Sequence, residues 1–114
     1  MAFDRSAALA RVGDEELLGK LVELFLDECP KGLGEIRRGI TQRDAEAVER
    51  AAHNLKGAAA VFSAEPACRA AERLEAIGRD QNWADAEPAF RTLEDAVASL
   101  QRALVESGPA GMSS

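Results

Sequence analysis

The chain has 114 residues, 46% of them hydrophobic, and its 20 acidic against 14 basic residues leave a net charge of -6. That is enough for a single domain with one core and excludes wholesale disorder, while the acidic balance excludes non-specific binding to a nucleic-acid phosphate backbone. The longest apolar run, Ala58 to Phe62, falls far short of the roughly 20 residues that span a bilayer, and Asp4 and Arg5 follow too soon after the start for a leader. The expectation is a soluble cytoplasmic protein with neither membrane nor nucleic acid as partner.

Ala, Leu, Glu and Arg dominate, there is no Tyr, and no segment alternates apolar and polar over a strand's length. These are strong helix formers, so the chain reads as all α. A short helix is predicted over about residues 4–11, with Gly13 in a stop position. Asp14 can cap the second helix, whose stripe is Leu18, Leu21, Phe25, Cys29, Leu33, Ile36 and Ile40. Pro30 interrupts it and predicts a kink rather than an end.

Thr41 to Arg43 read as a loop and Asp44 as the cap of a third helix, with Ala45, Val48, Ala52, Leu55, Ala59 and Phe62 inward. Ser63 closes it or caps the next helix, where Pro66 is tolerated and Cys68, Ala71, Leu74 and Ile77 form the stripe. Gly78 to Gln81 read as a turn, and Asn82 with Asp85 as a capping box for a last helix carrying Phe90, Leu93, Val97, Leu100 and Leu104. Four such helices joined by short loops suggest an antiparallel four-helix bundle with a short extra N-terminal helix. It would occupy residues 1–106, with 107–114 as a disordered C-terminal tail. With each stripe buried, no apolar seam is left over and a monomer is expected.

Cys29 and Cys68, the two cysteines, sit among apolar neighbours and read as small buried hydrophobes. With a single histidine they do not complete a four-ligand zinc site, so no metal site is expected. That histidine, His53, is the informative residue. Projection at about 100° per residue puts it roughly 130° from the core direction of the third helix, with Lys56 at about 70°, Gly57 at about 170° and Ala60 at about 110°. An outward histidine therefore stands one turn before small residues, with a cation at its flank. Gly57 costs a helix about 1 kcal/mol relative to Ala, and close approach of another molecule is one reason to keep it.

Neutral imidazole is a good nucleophile near neutral pH, and a cation at i+3 can offset the charge of a phosphorylated ring. No glycine-rich phosphate loop is present, nor a Gly-Lys-Ser/Thr motif. The residues suit holding a phosphoryl group and not taking it from ATP.

The run His53-Asn54-Leu55-Lys56-Gly57-Ala58-Ala59-Ala60-Val61-Phe62, followed by Leu74-Glu75, resembles the histidine-containing phosphotransfer (HPt) family. The family's motif is a histidine, any residue, leucine, lysine and glycine, then small residues and a hydrophobe, with a Leu-Glu pair in the next helix. The resemblance spans about residues 4–106 and implies a phosphorelay intermediate. His53 would take a phosphoryl group from a response-regulator receiver domain, fed by a hybrid sensor histidine kinase, and pass it to another receiver. Lys56 would be the phosphate-side cation. Gly57 would be the point of closest approach, with Ala60, Asn54 and Glu49 also on the partner-binding face. The chain would need no cofactor of its own, Mg²⁺ belonging to the receiver, and would be a phosphocarrier without an ATP site.

Ser63 stands where the family often has a second glycine, so a different helix junction is expected there. Asn54 replaces a position commonly Thr or another polar residue. Two other readings remain open within the sequence: the phosphoacceptor domain of a chemotaxis-type histidine kinase, and a helical interaction scaffold that carries no phosphate. A metal site from Glu49 and His53 at i,i+4 has only two ligands.

Overall fold

A computed structural model describes residues 3–106, which form five α-helices and no strand. The predicted tail, 107–114, lies outside the described residues. The helices are α1 (Arg5–Val12), α2 (Glu15–Gln42), α3 (Ala45–Val61), α4 (Glu65–Asp80) and α5 (Ala86–Glu106), with a 3₁₀ turn at Trp83–Asp85 before α5. Among the described residues no helix is long and apolar enough to cross a membrane.

Three of the helices begin on an aspartate that accepts a hydrogen bond from an otherwise unpaired amide. Asp4 takes the N–H of Ala7, Asp14 that of Glu16 and Asp44 that of Ala47. Gly13, at φ 84, ends α1 in the left-handed conformation that only glycine adopts freely. α2 runs unbroken past Pro30. It also continues through Thr41 and Gln42, which were expected in a loop; Arg43, at φ 55, is the left-handed residue that ends it.

α2 buries Leu18, Val22, Phe25, Cys29, Ile36 and Gly39, whereas Leu21, Leu33 and Ile40 are only partly covered. Apolar residues occupy two adjacent columns of this helix, and packing buries the one through Val22. The other column leaves Leu17 and Leu24 45% and 56% exposed, so an apolar seam does remain on the surface.

α3 packs against both α2 and α4, α4 against α5, and α5 back against α2. Glycines set two of these contacts. A Cβ on Gly78 would lie 2.9 Å from Val48 Cγ1 and 3.0 Å from the Glu49 amide, and one on Gly39 would lie 2.7 Å from Val48 Cγ2. Gly78 was expected in a turn. It instead lies buried inside α4, which continues to Asp80, because the missing side chain lets α4 cross the first half of α3 closely.

The other end of α3 is fixed by Phe62, 2% exposed, whose ring meets those of Phe3 and Phe25 edge-on at 5.8 and 5.4 Å. Past it, Ser63 adopts φ 52, and Ala64, not Ser63, is the capping residue of α4. The predicted Asn82–Asp85 capping box is replaced by a side chain to side chain bond of 2.8 Å, and the 3₁₀ turn takes up the intervening residues. Far from this end, Arg37 forks onto both Glu87 oxygens at 2.8 Å and stacks over Phe90, tying α2 to α5.

Candidate functional site

The middle of α3 presents the site. Val48, Ala51, Ala52, Leu55 and Ala59 are buried beneath it, so the outer residues stand on a packed helix rather than on a loop. His53 is on that outer face with its side chain 63% exposed, as projection predicts. Gly57 and Ala60 are exposed beyond it, and a Cβ on Gly57 would meet nothing within 4 Å.

His53 is not alone. Its Nδ1 lies 2.9 Å from Oε2 of Glu75 on α4, and the other oxygen of that carboxylate accepts from Lys56 Nζ at 2.7 Å. Glu75 is the shielded member, 15% exposed. The Lys56 bond, then the His53 bond, holds its carboxyl below the usual glutamate range, against the opposing effect of burial. The same bond to Glu75 raises the Lys56 ammonium. A carboxylate accepting at Nδ1 selects the tautomer with its proton there. Nε2 then carries the lone pair, on a ring that is mostly exposed.

Of the other expected site residues, Asn54 lies beside a groove of about 450 Å³ between α2 and α3, lined also by Leu21, Leu24, Phe25, Ala58 and Val61. Ala60 lends its carbonyl to Arg11 of α1. Glu49, one turn before His53, is 3.9 Å from Arg79, so its carboxylate pairs across to α4 and not with the histidine. Among the described residues, no group of three or more His, Cys, Asp or Glu side chains is placed to hold a metal. Cys29 is buried with Gln101 Nε2 3.2 Å from its sulfur, whereas Cys68, expected buried, is half-exposed with Sγ 3.7 Å from the Lys56 carbonyl. Burial pushes both thiols up, so neither is a ready nucleophile.

In the sequence Glu75 stands out only as half of a Leu-Glu pair, with no contact implied. The signal was there. Glu75 follows Leu74, a core residue of α4, and so stands about 100° from it, on a flank. Lys56 stands on a flank of α3, and helices that pack side by side bring flanks together.

The Hpt domain family model matches residues 20–103 of the chain. The fold is similar to that of the HPt domain of a sensor hybrid histidine kinase from Shewanella, solved as a crystal structure. The two are 20% identical and superpose with a TM-score of 0.81, over 96% of this chain and 97% of that one. No curated protein sequence matches.

Proposed function

The chain belongs to the Hpt domain family, and on that premise we propose that it carries a phosphoryl group on His53 between receiver domains of a multistep relay. The observation that supports this most is the exposed His53 ring bonded through Nδ1 to Glu75. Nε2 attacks the phosphorus of an aspartyl phosphate on a receiver. The N–P bond forms as the bond from phosphorus to the aspartate oxygen breaks, and the aspartate carboxylate leaves with the electron pair. No proton has to be removed, because Nδ1–H stays in place. The ring is cationic while phosphorylated, and the Glu75 carboxylate beside it offsets that charge. Passing the group to an aspartate of a second receiver reverses the step and restores the lone pair.

Phosphoryl transfer proceeds through a loose transition state in which positioning and charge neutralisation dominate. His53 on a packed helix supplies position. Lys56 supplies charge, using one of its three donors on Glu75 and keeping two for phosphate oxygens. Mg²⁺ would come with the receiver, and ATP chemistry with an upstream hybrid kinase. Gly57, Ala60 and the α2–α3 groove beside Asn54 form the face on which the receiver docks. An antiparallel four-helix bundle, α2 to α5, with α1 as the extra helix, is part of this reading, and linkers as short as Arg43–Asp44, which favour opposite directions for packed neighbours, support it. This reading needs one copy of the chain, acting in the cytoplasm.

The test is labelling by a receiver domain phosphorylated on its aspartate. The wild-type chain takes up a label that is stable in alkali and lost in acid, as an N–P bond requires. His53→Gln folds with unchanged helical content and takes up none. A His53→Gln variant labelled to the wild-type level overturns the assignment.

A further inference from the structure

We propose that Arg11 of α1 is a specificity-determining residue for the partner, anchoring an acidic side chain of the docked receiver at the far end of the face that bears His53. The inference rests on the docking face proposed above. Arg11 is exposed, and its Nη1 donates to the backbone carbonyl of Ala60. Ala60 is seven residues after His53, which places it on the same side of α3, about 10 Å further along the axis. That distance is too great for Arg11 to touch a phosphoryl group on His53 and well suited to a contact at the rim of a docked domain.

The charges on this side single Arg11 out. Lys56 is paired with Glu75, and Arg79 is drawn toward Glu49. Arg50, one turn back from His53, faces Glu46. Arg11 has no carboxylate within salt-bridge distance among the described residues and spends one of its five donors on a neutral carbonyl. In a chain of net charge -6, a cation left without a carboxylate, beside small exposed residues, selects a partner whose facing surface is acidic. The Ala60 bond also holds the guanidinium in place before docking, and the Asp4 amide, bonded to the Phe62 carbonyl, seats the start of α1 against the same helix end. A group ordered in advance loses less freedom on binding.

The experiment measures transfer to the full chain from a receiver domain that labels the wild type, phosphorylated with acetyl phosphate, across receiver concentration and at low and high salt. Arg11→Glu is expected to raise KM at least tenfold with kcat at saturation nearly unchanged, and the penalty shrinks as salt is added. Arg102→Glu, the same charge change on exposed α5, is expected to behave as wild type. Arg11→Lys keeps the charge and is expected to stay within threefold of wild type. If Arg11→Glu and Arg102→Glu behave alike, or if Arg11→Lys loses as much as Arg11→Glu, Arg11 merely fastens α1 and the proposal is overturned. A His53→Gln chain that still accepts label defeats the underlying reading instead, so the two failures are told apart.

Discussion

Glu75 serves two neighbours with one carboxylate, and its substitution separates the roles of both. Glu75→Gln keeps the shape and removes the charge. The phosphorylated imidazole then has no anion at Nδ1, and Lys56 loses its partner. A charge-assisted hydrogen bond contributes roughly 1.5–3 kcal/mol, so transfer into His53 is expected to slow by at least about tenfold. Lys56→Ala is expected to slow it less. Because Lys56 also keeps two donors for the phosphate oxygens, the double variant should be slower than Glu75→Gln alone, though the shared carboxylate should hold the combined loss below the product of the single losses. Single-turnover rates on the four chains test this, and a double variant no slower than Glu75→Gln alone would show that Lys56 acts only through Glu75. The outward His53, the flanking Lys56 and the open Gly57 were all legible from α3 alone, since periodicity orients every residue on one helix. The third member was not, because periodicity says nothing about which flank of α3 meets which flank of α4. That register is set where Gly78 lets Val48 and Glu49 come close.

Two of the mid-helix glycines, Gly57 and Gly78, carry opposite expectations. Gly57→Ala adds a methyl group into open space, so the helix should gain up to about 1 kcal/mol while the receiver docks less well. Gly78→Ala forces that methyl against a backbone amide and the fully buried Val48. Overpacking of this kind costs about 1–3 kcal/mol, partly offset by alanine's helix propensity. Denaturant midpoints should therefore move in opposite directions for the two variants, and a Gly78→Ala chain as stable as wild type would show that α4 can slide on α3. Ser63 makes a third case. It holds φ 52 with a side chain that caps nothing, a conformation that costs non-glycine residues roughly 1–2 kcal/mol. Ser63→Gly should stabilise the junction by up to about 1 kcal/mol, read in the same melts. The starts of α2 and α3 were legible because an aspartate marks each one, whereas Asp4, expected as the first helical residue, is the cap of α1. The ends of α2 and α4 were not legible, because left-handed Arg43 and Gln81 close them, residues whose chemistry does not advertise that role.

At the scale of the whole molecule, two carboxylates outside the core hold different pairs of helices together. Glu75 joins α4 to α3 through Lys56 and His53, and Glu87 joins α5 to α2 through Arg37. Both sit below the ordinary glutamate value, Glu75 chiefly through its bond to Lys56 and Glu87 chiefly through its bond to Arg37. A carboxyl group with a lowered value in the folded state binds its proton less readily there than in the unfolded chain. Acid therefore favours unfolding. The stabilisation from each tie is complete above the ordinary value of 4.5 and is lost as pH falls through the lowered one. The conjugate shift of Lys56, upward, acts at the other extreme: its contribution is complete below 10.5 and lost as pH rises through the raised value. Near neutral pH all of these ties are intact, so the stability profile should be flat there and fall on the acid side. Gln mimics a protonated Glu, so Glu75→Gln and Glu87→Gln should each be less stable than wild type at pH 7, and each difference should close as the pH drops below about 4. The ties share no partner and join different helices, so the double variant should lose the sum of the two single losses. Urea melts from pH 3 to pH 8 on the four chains provide the test. A gap between wild type and either variant that persists undiminished at pH 3 would mean that the glutamate acts through packing and not through its charge.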